Sequence, residues 1–484
     1  MTGLLFLEVL YFLLVFFTIL RIIYDTRNGS KALAYVLFIY FVPVIGILFY
    51  FWFGVNYRKR KLYSKKIILD EVLRQKVLNQ LADYQHKIKE SGIVNECQQK
   101  LSDFIFKFSK TTLTANNSIK LLINGEEKFN TLLDDLKQAK HHIHIEYYIF
   151  ESDRTGTEII EVLIQKAKAG VKVRFIYDDF GSHGIDKDQL NKLKSAGAEI
   201  APFYKIDLFL FASKINYRNH RKIVIIDGAI SFVGGINISD KYRNDTKATG
   251  ELFWRDTHLR INGTATASLQ FIFIGDWNFC SKQTLEIEGA YFPNRLNENL
   301  IETDLVQIVP SGPDSDLPVI YYSLIKTIDC AKKSILITNP YFIPGESLVD
   351  ALLVAAGSGV SIKIIVPGIS DSKIVNAAAN SFYSELLTAG IEIYRYQKGF
   401  VHAKTMVVDD DLSIVGTSNM DYRSFDLNFE VNAMVYSRKI ASELTYAFEE
   451  DLKECDKIDR NSWERRPIYL QLVERAVRLL SPLL

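Results

Sequence analysis

The chain has 484 residues, of which 48% are hydrophobic, and a formal net charge of +1. This length allows about three domains, and the apolar fraction is sufficient for sizeable cores. The near-neutral charge argues against a dedicated nucleic-acid-binding protein, because such proteins usually carry a basic stripe. The cysteines form no CxxC pair, so we expect reduced, structural thiols in the cytoplasm. They are Cys97, Cys280, Cys330 and Cys455.

Two hydrophobic segments open the chain. The second, Ala32 to Val55, contains no charged residue. As a helix it would measure about 36 Å, enough to cross a hydrocarbon core of about 30 Å, so we expect it to span a membrane. The first, Leu4 to Leu20, is shorter and is interrupted by Glu8. For this segment a tilted span and an interfacial or re-entrant helix both remain open.

A basic run follows the second hydrophobic segment, between Arg58 and Lys66. The positive-inside rule then places the remainder of the chain in the cytoplasm. The same run either holds the protein on an anionic leaflet or acts only as a stop-transfer flank. We divide the chain into a membrane anchor over 1–56, a basic flank and helical connector over 57–118, a first half over 119–300 and a second half with a C-terminal amphipathic helix over 301–484.

Beyond the connector, the same order of elements occurs twice. Helical periodicity alternates with short apolar runs, which is typical of an α/β fold. The first half has extra residues between Phe203 and Tyr217, and this segment either contacts lipid near the site or packs on its own domain. In the first half we predict helices at Glu126–Lys140 and Thr157–Ala169 and strands at His142–Phe150 and Val171–Asp178. In the second half we predict helices at Pro318–Lys332 and Ser347–Ala356 and strands at Ile335–Phe342 and Ser361–Val366.

One motif, HxKxxxxD, occurs once in each half, and an asparagine follows each copy at the same distance. Two copies with matching tails are not a chance occurrence. Residues two apart in a strand face the same side, so the histidine and the lysine of each copy project together. The residues are His220, Lys222, Asp227 and Asn237 in the first half, and His402, Lys404, Asp409 and Asn419 in the second.

These residue types suit phosphodiester chemistry without a metal ion or a cofactor. An imidazole is nucleophilic and titrates near neutral pH, and lysine and asparagine donate hydrogen bonds to phosphoryl oxygens. If the two motifs meet, one histidine can attack phosphorus while the other, protonated, donates a proton to the leaving oxygen. The alternative is a strand-end histidine beside a solvated lysine, and the repeat disfavours it.

Four shorter stretches accompany the motifs: Tyr177–Ser182, Phe253–Asp256, Asn339–Pro344 and Leu479–Leu484. Together with the hydrophobic N-terminus, they make the chain resemble the bacterial cardiolipin synthases of the phospholipase D superfamily. The resemblance implies two similar α/β/α sandwich halves packed face to face and a phosphohistidine intermediate. It also implies a phosphatidyltransferase that joins two molecules of the anionic lipid phosphatidylglycerol into cardiolipin and releases glycerol at the cell membrane.

The same residues fit other functions less well or equally well. A phospholipase D-type hydrolase, or a phosphatidyltransferase with a different acceptor, could use the same residues and remains the alternative. A nuclease is disfavoured by the anchors and the neutral charge, and we expect no nucleic-acid partner. An inactive lipid-binding scaffold is disfavoured because both motifs are intact. The oligomeric state does not follow from the sequence.

The same resemblance assigns two acids. It implies that Glu430 holds the catalytic histidine of its own half, and that Asp256 is its counterpart in the first half. An acceptor of this kind fixes the tautomer of the imidazole. The motif aspartates, Asp227 and Asp409, face the opposite side of their strands. We interpret them as structural residues that stabilise the join between the halves.

The choice of nucleophile rests on the resemblance alone. In relatives the histidine of the first motif is most often the one that becomes phosphatidylated, which implies His220 as nucleophile and His402 as general acid. A closer partnership of Glu430 with His402 would favour the reverse.

Other candidate residues have a plainer interpretation. His141, His142 and His144 lack a nearby ligand that would complete a metal site, so we expect ordinary strand-end histidines. Asp178 and Asp179 end a strand, where a helix N-cap is the simpler role.

The C-terminal segment has apolar residues at helical spacing with arginines alongside, over 465–480. This helix either lies on a membrane or docks on the catalytic body.

Overall fold

The computed structural model describes residues 2–26, 29–51, 94–204, 217–245, 251–281, 284–293 and 304–481, with a few isolated positions between them. The basic run, most of the connector and most of the segment between Phe203 and Tyr217 lie outside these residues. The chain divides into two compact units. One contains the N-terminal helices, and the other contains both α/β halves.

The N-terminal unit contains three helices, α1 (Thr2–Asp25), α2 (Gly29–Phe41) and α3 (Pro43–Phe49). The prediction of one continuous helix from Ala32 to Val55 is wrong over its described residues, because the helix is interrupted between α2 and α3. Pro43 occupies the first turn of α3, where its missing N–H is tolerated. No helix in the described ranges is both long enough and apolar enough to cross a membrane.

The break at Pro43 folds α3 back against α2. A Cβ atom placed on Gly46 would lie 2.8 Å from the Cα atom of Ile39, so only glycine permits this close approach. Ile39 and Tyr50 are fully buried in the small core that the helices share.

The connector ends in α4 (Glu96–Ser109), which begins with a capping box between Asn95 and Gln98. Its buried face, including Leu101 and Ile105, belongs to the core of the second half. Cys97 at its start forms a disulfide with Cys330. The expectation of reduced thiols is therefore wrong for this pair, because their proximity is created by the packing of α4 and not by sequence spacing.

The first half follows α4. Its elements are β1 (Thr114–Ile123), α5 (Asn124–Gln138), β2 (His142–Tyr147), α6 (Arg154–Lys168), β3 (Lys172–Asp178), α7 (Lys187–Ser195), β4 (Glu199–Phe203), β5 (Arg218–Asn219), β6 (Lys222–Ile226), β7 (Ile230–Gly234), β8 (Phe253–Arg255), β9 (Thr257–Gly263) and α8 (Thr266–Cys280). The predicted helices and strands of this half are present, with ends shifted by a few residues.

The second half repeats this order. Its elements are β10 (Asp304–Ser311), α9 (Val319–Asp329), β11 (Ser334–Thr338), α10 (Glu346–Gly357), β12 (Ser361–Pro367), α11 (Lys373–Thr388), β13 (Glu392–Tyr396), β14 (Gly399–Val401), β15 (Thr405–Val408), β16 (Leu412–Gly416), α12 (Tyr422–Asp426), β17 (Asn428–Tyr436), α13 (Arg438–Leu452), β18 (Cys455–Lys457), α14 (Arg460–Glu464) and α15 (Ile468–Arg478). The predicted elements of this half are also present.

The mixed α/β fold with a two-half repeat is confirmed, but the halves are joined more closely than expected. The strand order is β18-β13-β12-β11-β15-β16-β17-β10-β1-β9-β7-β6-β2-β3-β4, which is one continuous sheet. The antiparallel pair of β1 and β10 connects the halves edge to edge. Strands β7 and β9 also contact β16, so the two motif-bearing regions face each other.

Candidate active site

The two motifs meet because short strands cross between the halves. β5, just before the first motif, pairs in parallel with the start of β17 in the second half, and the His220 N–H donates to the Phe429 carbonyl at 2.9 Å. β14, just before the second motif, pairs in parallel with β8 of the first half, and the His402 N–H donates to the Arg255 carbonyl at 2.7 Å. Each motif histidine is therefore tied to a strand of the opposite half.

The carboxylates also act across the halves. Nδ1 of His220 lies 3.0 Å from Glu430, and Nδ1 of His402 lies 2.7 Å from Oδ2 of Asp256. The expectation that each acid holds the histidine of its own half is wrong. The physical reason is the strand pairing, which brings each histidine beside the opposite half's acid. With Nδ1–H donated to a carboxylate, the Nε2 atom of each ring is the one that can react.

Both carboxylates are completely buried and are held by further donors. The Thr417 hydroxyl donates to Oε2 of Glu430 at 2.5 Å, and the Thr257 N–H donates to Oδ1 of Asp256 at 2.7 Å. These bonds leave each acid little freedom to turn away from its histidine.

The motif lysines are buried next to the histidines. Nζ of Lys222 donates to the His220 carbonyl at 2.7 Å, and Nζ of Lys404 donates to the His402 carbonyl at 2.6 Å. Nζ of Lys404 also lies 2.9 Å from both ring nitrogens of His402. The two ammonium groups thus lie at the centre of the paired motifs.

Burial shifts the pKa values of all four groups. Desolvation lowers the pKa of Lys222 to about 7 and that of Lys404 to about 8, although nearby acids oppose the change. Desolvation also lowers the pKa of His220 to about 4 and that of His402 to about 3, against the effect of their carboxylate partners. An anion entering the site would favour the charged forms of all four.

The motif asparagines are buried near these groups. Asn237 donates from Nδ2 to the Tyr242 hydroxyl at 2.7 Å, and the Tyr242 ring packs on His402. Asn419 donates to Asp421, and its Oδ1 atom has no hydrogen-bond partner within the part of the chain that the structure describes.

The motif aspartates lie at the far ends of the motif strands and do not join the site. The Asp227 carboxylate accepts from the N–H groups of Lys140, His141 and His142 at 2.7–3.0 Å. Asp409 accepts in the same way from three successive N–H groups that begin at Lys332. Each aspartate binds the turn that precedes the first parallel strand of its own half. The prediction that they stabilise the join between the halves is therefore wrong.

Comparison with known proteins identifies the family. A family model described as "Cardiolipin synthase, PLD-like domain" matches residues 132–259 and 324–452, and one described as "Phospholipase_D-nuclease N-terminal" matches residues 13–54. A cardiolipin synthase of Geobacillus sp. (strain WCH70) is 42% identical over 95% of this chain and 90% of its own length. The major cardiolipin synthase ClsA of Bacillus subtilis (strain 168) is 40% identical over 99% of this chain and 98% of its own length.

The chain belongs to the cardiolipin synthase family. It is thus a phosphatidyltransferase of the phospholipase D superfamily, as the sequence motifs indicate. Among solved structures, phosphatidylserine synthase of Haemophilus influenzae Rd KW20 superposes with a TM-score of 0.59 at 15% identity, covering 80% of this chain and all of that one. That similarity supports the fold alone.

Sequence reasoning missed a buried network behind the first motif of this cardiolipin synthase family member. Arg221, between the motif histidine and lysine, forms an ion pair with Asp276 and donates to the Glu430 carbonyl at 3.2 Å. Asn219 donates to Glu146 at 2.5 Å. Burial and Asp276 raise the pKa of Glu146. An arginine on the apolar face of a strand was the signal that could have found this network.

Asp178 has a larger role than the predicted helix cap. Its Oδ1 atom accepts from the N–H groups of Phe180 and Gly181, while Oδ2 accepts from the Asn219 N–H at 2.9 Å. Burial raises its pKa to about 6. It therefore positions the residue that precedes His220.

His142 and His144 lie in β2 and His141 just before it, at the Asp227 end of the first motif. His142 and His144 both contact Oε1 of Gln270 on α8, at 3.1 Å and 3.2 Å. Burial lowers the pKa of His142 to about 4. Their contacts are those of core side chains.

Proposed function

We propose that the protein condenses two phosphatidylglycerol molecules into cardiolipin and glycerol through a covalent phosphatidyl-histidine intermediate. The observation that carries this proposal is the pair of crossed histidine–carboxylate contacts. Each imidazole gives its Nδ1 hydrogen to a buried carboxylate, so two reactive Nε2 atoms share one site. The two buried lysines supply the positive charge that an anionic phosphodiester requires.

The first step transfers a phosphatidyl group to the enzyme. Nε2 of His220 forms a bond to phosphorus while the bond from phosphorus to the glycerol oxygen breaks. The departing oxygen takes a proton from His402, and free glycerol leaves. Lys222, Lys404 and the motif asparagines hold the phosphoryl oxygens as charge moves between them.

The second step reverses the roles. The terminal hydroxyl of a second phosphatidylglycerol gives its proton to His402 and attacks phosphorus. The bond from phosphorus to His220 then breaks, which releases cardiolipin and restores both histidines. Water would give phosphatidic acid instead, so the reaction needs a site in which lipid outcompetes water.

The contact between Lys404 and His402 supports the choice of His402 as the acid. The imidazole alone loses its proton at low pH, whereas Lys404, 2.9 Å from its ring nitrogens, has a pKa of about 8. The pair therefore retains a proton near neutral pH, and an arriving diester anion favours its transfer to the ring. By this argument His220 is the nucleophile.

We also propose that the protein lies on the cell membrane. α1 exposes large apolar side chains, among them Phe12 and Phe17, and the end of α2 exposes Tyr40 and Phe41. Apolar surface of this extent indicates contact with lipid. A hairpin that bends at Pro43 and enters the bilayer fits the two short helices better than a straight span.

Two observations bear on which side of the membrane the body occupies. The basic run after the hydrophobic segments favours the cytoplasm, whereas the Cys97–Cys330 disulfide is of a kind that is rare there. We propose a cytoplasmic body in which this disulfide is one of the rare cytosolic ones. Labelling of either thiol in intact cells by a membrane-impermeant maleimide, after mild reduction, would place the body outside instead.

Product analysis tests the reaction. The full chain, reconstituted in vesicles with phosphatidylglycerol labelled in its terminal glycerol, should release one free glycerol for each cardiolipin formed. In a parallel reaction with phosphatidylglycerol labelled at phosphorus, a denaturing quench at mildly alkaline pH should leave label on the peptide that contains His220. Phosphatidic acid as the main product would identify a hydrolase, and label on the His402 peptide would reverse the two histidines.

A further inference from the structure

The C-terminal helix α15 presents its apolar side to solvent. Its four most exposed large side chains, and that of Leu479 directly after it, are between 54% and 81% accessible. A helix on the surface of a soluble protein normally turns that side inward. These residues are Ile468, Tyr469, Leu472, Val473 and Leu479.

The opposite side of α15 is polar and is fixed to the body. Glu474 is buried, pairs with Arg466 through two bonds of 2.8 Å and accepts from Asn380 of α11 at 3.1 Å. Arg478 donates to Glu385 of α11 at 3.1 Å. Because charge-assisted bonds hold the polar side, the helix cannot rotate its apolar side inward without breaking them.

The contacts also set the direction of the helix. Glu474 meets Asn380, and Arg478, further along, meets Glu385, so α15 and α11 run in the same direction. The start of α15 therefore lies towards the start of α11. Ile374, at that end of α11, is itself 54% exposed and extends the apolar surface.

This end of α11 lies next to the active site. Asp371, two residues before α11 begins, accepts from the Tyr341 hydroxyl at 2.5 Å. The Tyr341 ring contacts Phe400, which packs on His402. The apolar side of α15 thus begins on the side of the second half where the second motif opens.

We propose that α15 is an interfacial helix that seats the second half on an anionic lipid surface, with its outward apolar side in the bilayer. The substrate of the proposed function is a bilayer lipid, and this inference rests on that function. Arg465 and Arg475 are exposed beside the apolar residues, where they suit anionic headgroups. A helix fixed in this way would hold the site at the depth of the phosphodiester.

Photo-crosslinking of the full chain tests the contact directly. Benzoylphenylalanine replaces Leu472 in one variant and Tyr446 in another, because Tyr446 is a comparably exposed residue on α13, which packs on the opposite face of the sheet. On phosphatidylglycerol vesicles, position 472 should form lipid adducts and position 446 should not. Adducts to a second copy of the chain, or equal lipid labelling at both positions, would overturn the proposal.

An activity measurement separates this inference from the proposed chemistry. Leu472→Glu with Val473→Glu should lower turnover on vesicles by about tenfold or more, because two charges oppose insertion of the helix. Turnover of short-chain phosphatidylglycerol, used as monomers, should stay within about twofold, and Tyr446→Glu should change neither. Equal loss on both substrates would contradict a membrane role. Failure of the unaltered chain to make cardiolipin from either substrate would refute the proposed function, while the crosslink would still test the helix.

Discussion

The two half-sites have the same strand framework but hold their histidines differently. His220 is paired with a glutamate, and Thr417 donates to that glutamate from the side. His402 is paired with a shorter aspartate, and the residue that matches Thr417, two before the motif asparagine, is Gly235. A Cβ atom on Gly235 would lie 2.2 Å from Oδ1 of Asp256. Gly235 therefore leaves space for the Asp256 carboxylate, whereas the Thr417 side chain occupies the matching space beside Glu430.

This difference fits the two roles that the proposed mechanism gives to the half-sites. Glu430 is held by the hydroxyl of Thr417 beside it, whereas Asp256 requires a neighbour without a side chain. Lys404 additionally lies against the ring of His402. In the proposed mechanism the first half-site provides a fixed nucleophile and the second a proton carrier, although both begin from the same motif.

The largest expected effect is common to the two motif histidines. His220→Ala and His402→Ala should each lower cardiolipin formation by at least about a thousandfold, and their losses should not add, because both act in one step. The measurement is steady-state product formation by the full chain, with the exposed His183→Ala as control. A single variant with near-normal activity would contradict a shared site.

A substrate with a good leaving group tests the crossed pairing. Phosphatidyl-p-nitrophenol needs little proton donation, so a burst of nitrophenolate should persist in His402→Ala and in Asp256→Asn. It should be lost in His220→Ala and strongly slowed in Glu430→Gln. If Asp256→Asn instead behaves like His220→Ala, each acid serves its own half in catalysis, and the crossed contacts are not functional.

A second pair of variants tests the difference between Gly235 and Thr417, which occupy matching positions in the two halves. Gly235→Ala should lower turnover by about a hundredfold, since the added carbon must displace the Asp256 carboxylate from His402. Thr417→Val removes one hydrogen bond to a charged group and should cost about tenfold. The kcat of each variant is compared with its thermal unfolding, and Gly289→Ala, which has open space around it, is the control. Equal, small effects would show that these positions do not support the acids.

The sequence predicted more of the chemistry than of its geometry. The repeated motif identified His220, His402 and their lysines because alternation in a strand is local information. It could not identify which acid serves which histidine, because that depends on β5 and β14 crossing between halves. The Cys97–Cys330 pair and the bend at Pro43 were missed for a similar reason: one depends on packing distant in sequence, and the other was hidden in a uniformly apolar run.

The pH dependence of activity should reflect the titration of the two motif lysines. The pKa values of Lys222 and Lys404 are lowered to about 7 and about 8, so both lose their charge as the pH rises through this range. We expect kcat/KM to fall above about pH 7–8, whereas kcat should hold to higher pH because the bound diester anion raises both pKa values. Lys222→Arg keeps the charge and should move the upper limb of kcat/KM to higher pH. An unchanged limb would assign it to another group.

The smallest effect on kcat is expected at the motif aspartates. Their contacts are the same in both halves. Asp227 and Asp409 each accept from three main-chain N–H groups and adopt positive φ angles of 53° and 51°. Asparagine tolerates this conformation but provides a weaker acceptor. Asp227→Asn and Asp409→Asn should therefore each cost about 1–3 kcal/mol in the free energy of unfolding. The kcat of the folded fraction should remain within about twofold. Denaturant unfolding and kcat are measured on the same variants. A large loss of kcat with normal stability would show that these aspartates take part in catalysis.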